Sequence, residues 1–245
     1  MLVADGVEML DLPVDMMGNP SHIFPTLLWD ADQAILFDAG LPGQVPGLLR
    51  AIAEVGIPFD RLTTVIVTHH DIDHIGGLAG LRKELPPSAR FLAYEEEIPY
   101  IDGQKRPLKL AQMEANLAAL PPERQKFYET FKAAFLNSQV HIDQPLVDGE
   151  KLPFCGGITV IHTPGHTLGH ICVYLQDSKV LVAGDAMRVE NGDLILTPAS
   201  SNHDTEMAAR SLQKLTRYDL EAVICYHGGL FSDHPNQRIA ALAGR

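Results

Sequence analysis

The apolar residues of the first third of the chain form short β-branched runs separated by a stretch with helical spacing. Two apolar runs, 22–29 and 33–38, flank a turn-like Asp-Ala-Asp sequence and predict a β-hairpin. A helix with one apolar face follows and ends at Gly56, and the β-branched run 62–68 then predicts a buried strand. A short helix extends from there to about Leu85. This order of strand, helix and strand indicates an α/β fold.

The pattern changes between about residues 94 and 135. Helical periodicity replaces the β-branched runs, with breakers at Gly103, Pro121 and Pro122. We interpret 94–135 as two helices inserted between strands, with Pro122 near the start of the second helix.

A second series of strands follows the insertion. The predicted strands are 158–163, 170–175, 179–185, 194–197 and 222–226, and the predicted helices are 205–217 and a closing helix from Pro235. The hairpin that ends near residue 40 resembles the one that ends near residue 187. The chain therefore reads as two α/β halves, each a sheet followed by helices, packed sheet to sheet.

The composition excludes several classes of protein. The chain has 245 residues, and 19 Lys and Arg against 31 Asp and Glu give a formal charge of −12. That length suits one ordinary core, and we expect a single domain over 1–245. Three cysteines are too few for a disulfide framework, and the acidic N-terminal stretch does not resemble a signal peptide, so we expect a cytoplasmic protein. With no basic stripe and no apolar run of ~18 to 20 residues, neither nucleic acid nor a membrane is an expected partner.

Four metal-type ligands follow the buried strand 62–68. His69, Asp71, Asp73 and His74 fall within six residues, and a loop beyond a strand can bring all four to one point. Imidazole and carboxylate are ligands of zinc, iron and manganese. The alternative is an ordinary polar loop.

Three further residues of the same type come just after other predicted strands. These are His166, Asp185 and His227. Four strand ends thus each present a metal-type ligand, whereas His and Asp residues placed by chance would also fall on helices and strand centres. The pattern therefore favours a metal site over a polar loop.

The segments THHDIDHIGG and HTPGHTLGH resemble the metallo-β-lactamase-fold metallohydrolase superfamily, in particular its lactonase and glyoxalase II-like branch. The first motif is an H-x-D-x-D-H variant of the family's H-x-H-x-D-H. The resemblance covers nearly the whole chain. It implies a four-layer αββα sandwich with a helical insertion at about 94–135 and a metal site at one edge.

The resemblance also implies two divalent metal ions, with zinc the first choice. One would be held by His69, Asp71 and His166, the other by Asp73, His74 and His227, with Asp185 bridging both. A hydroxide between the metals would attack a small ester or lactone-type substrate, and Asp73 would carry the proton to the leaving group. His170 and Asp38 are expected to orient ligands; the alternatives are a strand-start histidine and a plain turn residue.

Residue 71 departs from the family pattern, because the usual ligand there is His. An Asp makes the first site harder and more anionic, which favours iron or manganese more than an all-His site would. His70 is a second candidate ligand, one position away. A carboxylate here also resembles the flavodiiron branch, so an iron-dependent oxidoreductase is an alternative function. The absence of a flavodoxin-like or rubredoxin-like segment weighs against that alternative.

Other branches differ in the surrounding features. Since 18 residues follow His227, we do not expect the C-terminal helical region of glyoxalase II-like enzymes, and that activity is disfavoured. Lactonases usually carry Tyr three residues after the bridging Asp, and Arg188 stands there instead. It is interpreted either as a contact for an anionic substrate or as a surface arginine. Phosphodiesterase-type and thioesterase-type hydrolysis, and a non-catalytic metal-stabilised binding module, are further alternatives.

Aromatic residues of the insertion offer a surface for a small-molecule substrate. They are Tyr100, Phe127, Tyr128, Phe131 and Phe135. We expect them to form a substrate wall or lid, to pack against the body of the protein, or to form a homodimer contact. Cys225, two residues before His227, is predicted to be a core thiol rather than a ligand.

Overall fold

The computed structural model describes residues 1–16 and 18–244 as strands, helices and connecting loops. The strands are β1 (Leu2–Ala4), β2 (Val7–Met9), β3 (Leu12–Met16), β4 (Asn19–Ile23), β5 (Thr26–Trp29), β6 (Ala34–Phe37), β7 (Leu62–Val67), β8 (Arg90–Tyr94), β9 (Gln144–Leu146), β10 (Lys151–Leu152), β11 (Ile158–His162), β12 (Ile171–Leu175), β13 (Val180–Val182), β14 (Met187–Glu190), β15 (Asp193–Leu196), β16 (Ala222–Cys225) and β17 (Gly229–Phe231). The helices are α1 (Val45–Val55), α2 (Ile72–Ile75), α3 (Leu78–Glu84), α4 (Ile98–Ile101), α5 (Leu108–Ala115), α6 (Pro122–Ser138), α7 (Thr205–Leu215) and α8 (Pro235–Ala243).

Two main sheets contain most of the strands. The first has the order β1-β2-β5-β6-β7-β8-β9, and the second has the order β10-β11-β12-β13-β16-β17. The pairs from β6 to β9 are parallel, and so is the pair β13–β16. A parallel pair at the centre of each sheet brings successive carboxyl ends to one edge, which is where loops converge to form sites.

Apolar residues from both sheets pack face to face to form the central core. Leu28 and Ile66 of the first sheet belong to the same buried cluster as Val160, Val173 and Ile224 of the second. Helices cover the two outer faces. Helices α1 and α3 and the insertion share a second cluster with the first sheet, and α7 and α8 share a third with the second sheet. These layers confirm the predicted αββα sandwich.

The N-terminal segment contains β-strands that the sequence pattern did not predict. Strands β1 and β2 extend the first sheet, and β3 and β4 form a separate hairpin. Each has three to five residues, and β2, β3 and β4 include charged, Pro or Asn residues that interrupt the alternation of apolar and polar positions. Such short segments become strands through their partners more than through their own pattern.

The insertion differs in detail from the two predicted helices. A one-turn helix, α4, precedes α5, and α6 starts at Pro122 as expected but extends to Ser138 rather than 135. Gly103 adopts a φ of +83°, which ends the first turn and directs the chain towards α5.

Close packing at the end of β6 depends on the glycine pair after the first motif. A Cβ at Gly77 would lie 2.2 Å from the carbonyl oxygen of Ala39, and one at Gly76 would lie 2.3 Å from Pro42. Glycine at both positions lets the loop after α2 contact the end of β6 directly. That contact places the His69–His74 segment over the edge of the first sheet.

Candidate metal centre

The first motif begins where β7 ends. Thr68 and His69 are fully buried just beyond Val67, and α2 starts at Ile72. The turn of α2 carries Asp73 and His74 back over the end of the strand. An extended strand followed at once by a helical turn therefore directs four side chains to one place.

The first ligand group converges around one oxygen of Asp71. Its Oδ2 lies 2.9 Å from His166 Nε2 and 3.4 Å from His69 Nε2. Asp185 Oδ2 lies 3.5 Å from the same His166 nitrogen. One ligand atom from each of these four side chains lies within 4.8 Å of the others.

The second ligand group contains Asp73, His74 and His227, whose ligand atoms also lie within 4.8 Å of one another. His227 Nε2 is 3.1 Å from Asp73 Oδ2 and 3.5 Å from Asp185 Oδ2. His74 Nε2 is 3.4 Å from Asp185 Oδ1. The two oxygens of Asp185 therefore face both groups, which is the position that the sequence predicts for a bridging ligand.

Several buried atoms at this centre have no hydrogen-bond partner among the described residues. They include His69 Nε2, His74 Nε2 and Asp185 Oδ1. An unpaired polar atom in the protein interior costs free energy, and a cation with nitrogen and oxygen ligands would satisfy these three atoms together. The donor set therefore fits two divalent metal ions.

Electrostatic coupling across the second group is strong. Burial lowers the pKa of His227, but the carboxylates of Asp185 and Asp73 outweigh burial and raise it to about 10. Burial raises the pKa of Asp185, but His227 and His74 hold it well below its ordinary value. Since ligation needs neutral imidazole and ionised carboxylate, metal binding would release protons from this group.

Asp38 holds the first motif to the end of β6. Its Oδ1 accepts the Thr68 backbone N–H at 2.8 Å, and its Oδ2 accepts the Thr68 hydroxyl at 2.8 Å. The same Oδ2 lies 2.8 Å from His74 Nδ1, which directs His74 Nε2 towards Asp185. Asp38 itself is 1% exposed and has a φ of +63°. These contacts give it the orienting position that the sequence suggested.

His170 lies behind Asp185. Burial, followed by the nearby His166, lowers the pKa of His170 to about 3, so the imidazole is neutral. Its Nε2 accepts the Asp185 backbone N–H at 3.0 Å, which assigns the proton to Nδ1, where Thr163 Oγ1 accepts it at 2.9 Å. This arrangement fixes the backbone from which Asp185 projects.

His70, the second candidate for the ligand at position 71, faces another partner. Its backbone N–H donates to Glu97 Oε2 at 2.7 Å, and its Nδ1 forms a short contact with the same oxygen. The ring stacks on Tyr100 at a centroid separation of 4.4 Å. Asp71, and not His70, is the residue that the structure groups with His69 and His166.

Three residues at the centre were not anticipated from the sequence. Glu97 is fully buried and joins the His70 segment to the loop that carries His166. Lys109, from α5, forms a short ion pair with Asp71. Tyr226 donates its hydroxyl to the Asp73 carbonyl at 2.5 Å. Only Tyr226, which precedes His227, had a sequence signal.

A cavity of about 520 Å³ opens beside Asp71 and Asp73. Most of its other lining is apolar: Leu41, Ile72, Phe127 and Phe131. The rings of Phe127 and Phe131 stack at 5.4 Å. The insertion therefore contributes two aromatic residues to the cavity.

The remaining aromatic residues of the insertion are buried against the body: Tyr100, Tyr128 and Phe135. Core packing therefore describes these three residues, whereas Phe127 and Phe131 line the cavity beside Asp71 and Asp73. Arg188 lies on β14 and pairs with Glu190. Cys225 is fully buried at the end of β16, as a core thiol would be.

A larger open cavity of about 800 Å³ lies at the opposite end of the sheets, beside Trp29, Arg61 and Ser178. Its lining contains none of the seven candidate ligands. Of these two cavities, the smaller one is bordered by candidate ligands, Asp71 and Asp73.

Sequence and fold comparisons give the class of protein. The profile of the metallo-beta-lactamase superfamily matches residues 18–227, and the chain belongs to that superfamily. A metallo-beta-lactamase family protein of Thermus thermophilus superposes with a TM-score of 0.72 at 25% identity, over 99% of this chain and 80% of that one. A metallo-beta-lactamase of Pontibacter korlensis, at 16% identity, superposes with a TM-score of 0.70 over 100% of this chain and 98% of its own.

Three curated relatives have names that describe hydrolases. The chain is 31% identical over 212 residues to the probable metallo-hydrolase YflN of Bacillus subtilis, covering 79% of this chain and 75% of that protein. It is 26% identical over 231 residues to the acyl-coenzyme A thioesterase MBLAC2 of Gallus gallus, covering 91% and 78%. It is 25% identical over 219 residues to a hydroxyacylglutathione hydrolase of Cereibacter sphaeroides, covering 87% and 66%. Among the described residues, no helix is long and apolar enough to cross a membrane.

Proposed function

We propose that this protein is a dinuclear metal-dependent hydrolase of small ester, lactone or thioester substrates that carry an apolar acyl group. The observation that supports this most directly is the pair of ligand groups that share Asp185 and border a largely apolar cavity. Carbonyl substrates of this kind have one polar reacting centre and one apolar part, which matches the two sides of the cavity.

Bound divalent ions would supply a nucleophile at neutral pH and polarise the substrate carbonyl. The side chains of the protein bind the substrate and hold the ligands in position. Phe127 and Phe131 bind the acyl group and exclude water from one side of the carbonyl. His170 and Asp38 keep Asp185 and His74 in position through the contacts described above.

Asp73 is the proposed proton carrier. Its Oδ2 lies 3.1 Å from His227 Nε2, and the residue also lines the cavity. Its Oδ1 is then available to take a proton from the attacking water and pass it to the leaving oxygen or sulfur. The names of the relatives support thioesters as one substrate class, since one reported protein is named an acyl-coenzyme A thioesterase and another a hydroxyacylglutathione hydrolase.

The proposal is tested by elemental analysis of protein purified without added metal, followed by a screen of lactones, aryl esters, thioesters and phosphoesters. We expect about two divalent ions per chain and turnover that rises with acyl length. Asp73→Asn should lose turnover by about 10²- to 10⁴-fold while the protein still folds. Asp15→Asn, at the rim of the same cavity, is the matched control.

A different outcome would favour another function. Iron retained with oxygen-dependent turnover, and no hydrolysis of any substrate in the screen, would support the oxidoreductase alternative suggested by Asp71. A protein with no bound metal and no activity on addition of Zn, Mn or Fe would contradict both functions.

A further inference from the structure

We propose that Lys109 is the counter-charge of the first metal site, so that Asp71 and Lys109 act as one unit. The inference rests on the proposed function only in requiring that the site bind divalent metal. A ligand set of His69, Asp71 and His166 with neutral imidazoles has a charge of −1, and the ammonium of Lys109 returns it to zero. Zero is the charge that three imidazole ligands would have.

The contact is direct and specific to one oxygen. Lys109 Nζ forms its ion pair with Asp71 Oδ2, the same atom that faces His166 Nε2 at 2.9 Å and His69 Nε2 at 3.4 Å. Asp71 has a side-chain exposure of only 7%, and Lys109 has one of 37%. Water therefore screens the carboxylate poorly and the ammonium in part, and the ammonium still acts electrostatically on the ligand group.

Lys109 reaches the site from the insertion and borders two cavities. It lines the apolar cavity beside Phe127 and Phe131 and also a small polar cavity of about 80 Å³ that includes His166 and Asn202, and Asp71 lines both as well. The ion pair therefore borders the space available to a substrate. A carboxylate ligand and its counter-charge thus come from two different elements, the first motif and α5.

Other cations of the insertion and the site face elsewhere. Lys105 lies over the Tyr100 ring at 5.6 Å, and Lys132 lies over the Tyr128 ring at 5.8 Å. Arg188 pairs with Glu190 on its own hairpin. Lys109 is therefore the basic residue that the structure joins to the unusual ligand.

A double-mutant cycle on divalent-metal affinity tests the inference. The variants are Asp71→His, Lys109→Met and the two together, and the readouts are zinc content and the zinc dissociation constant from competition with a chromophoric chelator. Asp71→His alone leaves the ammonium uncompensated and should weaken zinc binding by about tenfold or more. Lys109→Met alone should tighten it by about the same factor, because a repulsive charge is removed. The double variant should return to near the affinity of the unmodified protein.

A double variant that binds zinc as weakly as Asp71→His, so that loss of Lys109 compensates for nothing, would overturn the inference. So would weaker zinc binding in Lys109→Met, which would make Lys109 a support for the fold of the loop. Lys132→Met is the control for loss of a lysine from the insertion, and it should leave zinc affinity unchanged. Thermal unfolding with excess chelator checks that each variant folds.

Failure of this inference and failure of the proposed function give different results. If the unmodified protein binds two divalent ions and hydrolyses a substrate but Lys109→Met does not restore zinc affinity to the Asp71→His variant, only the role of Lys109 is wrong. If the unmodified protein binds no divalent metal, both proposals fall.

Discussion

The two ligand groups lie side by side but are supported by different parts of the molecule. The second group is fixed by residues of the sheets: Asp38 at the end of β6 contacts His74, and Tyr226 after β16 contacts the Asp73 carbonyl. The first group is bordered by loops and by the insertion, from which Lys109 reaches Asp71.

The fold fixes the geometry of the second group, whereas the insertion can vary the surroundings of the first. The backbone of a sheet edge cannot move without disturbing the core, because its flanking residues are close-packed. A helical insertion can change length and side chains at little cost to the sheets. The first group, with its Asp in place of His, is the one that contacts the variable element. The cavity beside Asp71 and Asp73 adjoins the same element.

The largest expected effect comes from removing the support of the second group. Asp38→Ala leaves His74 Nδ1 and the Thr68 N–H without their buried acceptor. Loss of one partner of a buried charged contact costs about 3 to 5 kcal/mol in the free energy of unfolding. We also expect the metal content to fall towards one ion per chain. Chemical denaturation and elemental analysis measure the two effects.

Asp30→Ala is the matched control for Asp38→Ala. Asp30 ends the preceding strand of the same hairpin, and its Oδ1 accepts backbone N–H groups of Asp32 and Gln33 at the surface. Its loss should cost about 1 kcal/mol and leave the metal content unchanged. Equal behaviour of the two variants would show that the sheet edge does not fix the second group.

A substitution at Glu97 tests how far the insertion supports the loops that carry the ligands. It precedes α4, yet its Oε2 accepts the His70 N–H at 2.7 Å, and its Oε1 accepts the Thr167 hydroxyl and the Gly169 N–H, both at 2.7 Å. Glu97→Gln keeps the shape but turns an amide N–H₂ towards one of these donors. We expect a loss of about 1 to 3 kcal/mol in the free energy of unfolding.

The control for Glu97→Gln is its neighbour Glu96, whose side chain is 55% exposed. Glu96→Gln should be near neutral. If Glu97→Gln lowers stability but leaves zinc affinity intact, the insertion supports the ligand loops without adjusting the first group. A loss of affinity confined to one ion would place that group under the control of the insertion.

The sequence predicted the parts of this molecule that follow a repeating pattern. His69, His166, Asp185 and His227 each come just after an apolar run, so strand ends could be recognised without a structure. Glu97 and Lys109 come from the insertion, where helical spacing says which residues share a face but not which loop that face approaches. Their roles depend on how two distant segments pack, and a single sequence carries no local signal for that.

The smallest effect is expected at the far end of the insertion, where the chain returns to the first sheet. Asp143 Oδ2 accepts Arg82 Nη2 at 2.6 Å and the Phe91 N–H at 2.7 Å, while its side chain is 29% exposed. Burial raises the pKa of Asp143. The hydrogen bonds from Arg82 and from the Phe91 N–H lower it by more, so the pKa lies below the ordinary value of 3.8.

Because the folded-state pKa of Asp143 is the lower one, its contribution to stability is complete above the unfolded-state value and is lost as pH falls through the folded-state value. Asp143→Asn should therefore reduce the free energy of unfolding by at most about 1 kcal/mol at pH 7, and the difference from the unmodified protein should shrink as pH falls below 3.8. Urea unfolding at pH 7 and at a series of pH values below 3.8 measures it, with the exposed Asp32→Asn as control. A difference that does not shrink along this series would mean that shape rather than charge holds this junction, and that the insertion is anchored at its return end independently of the ion pair.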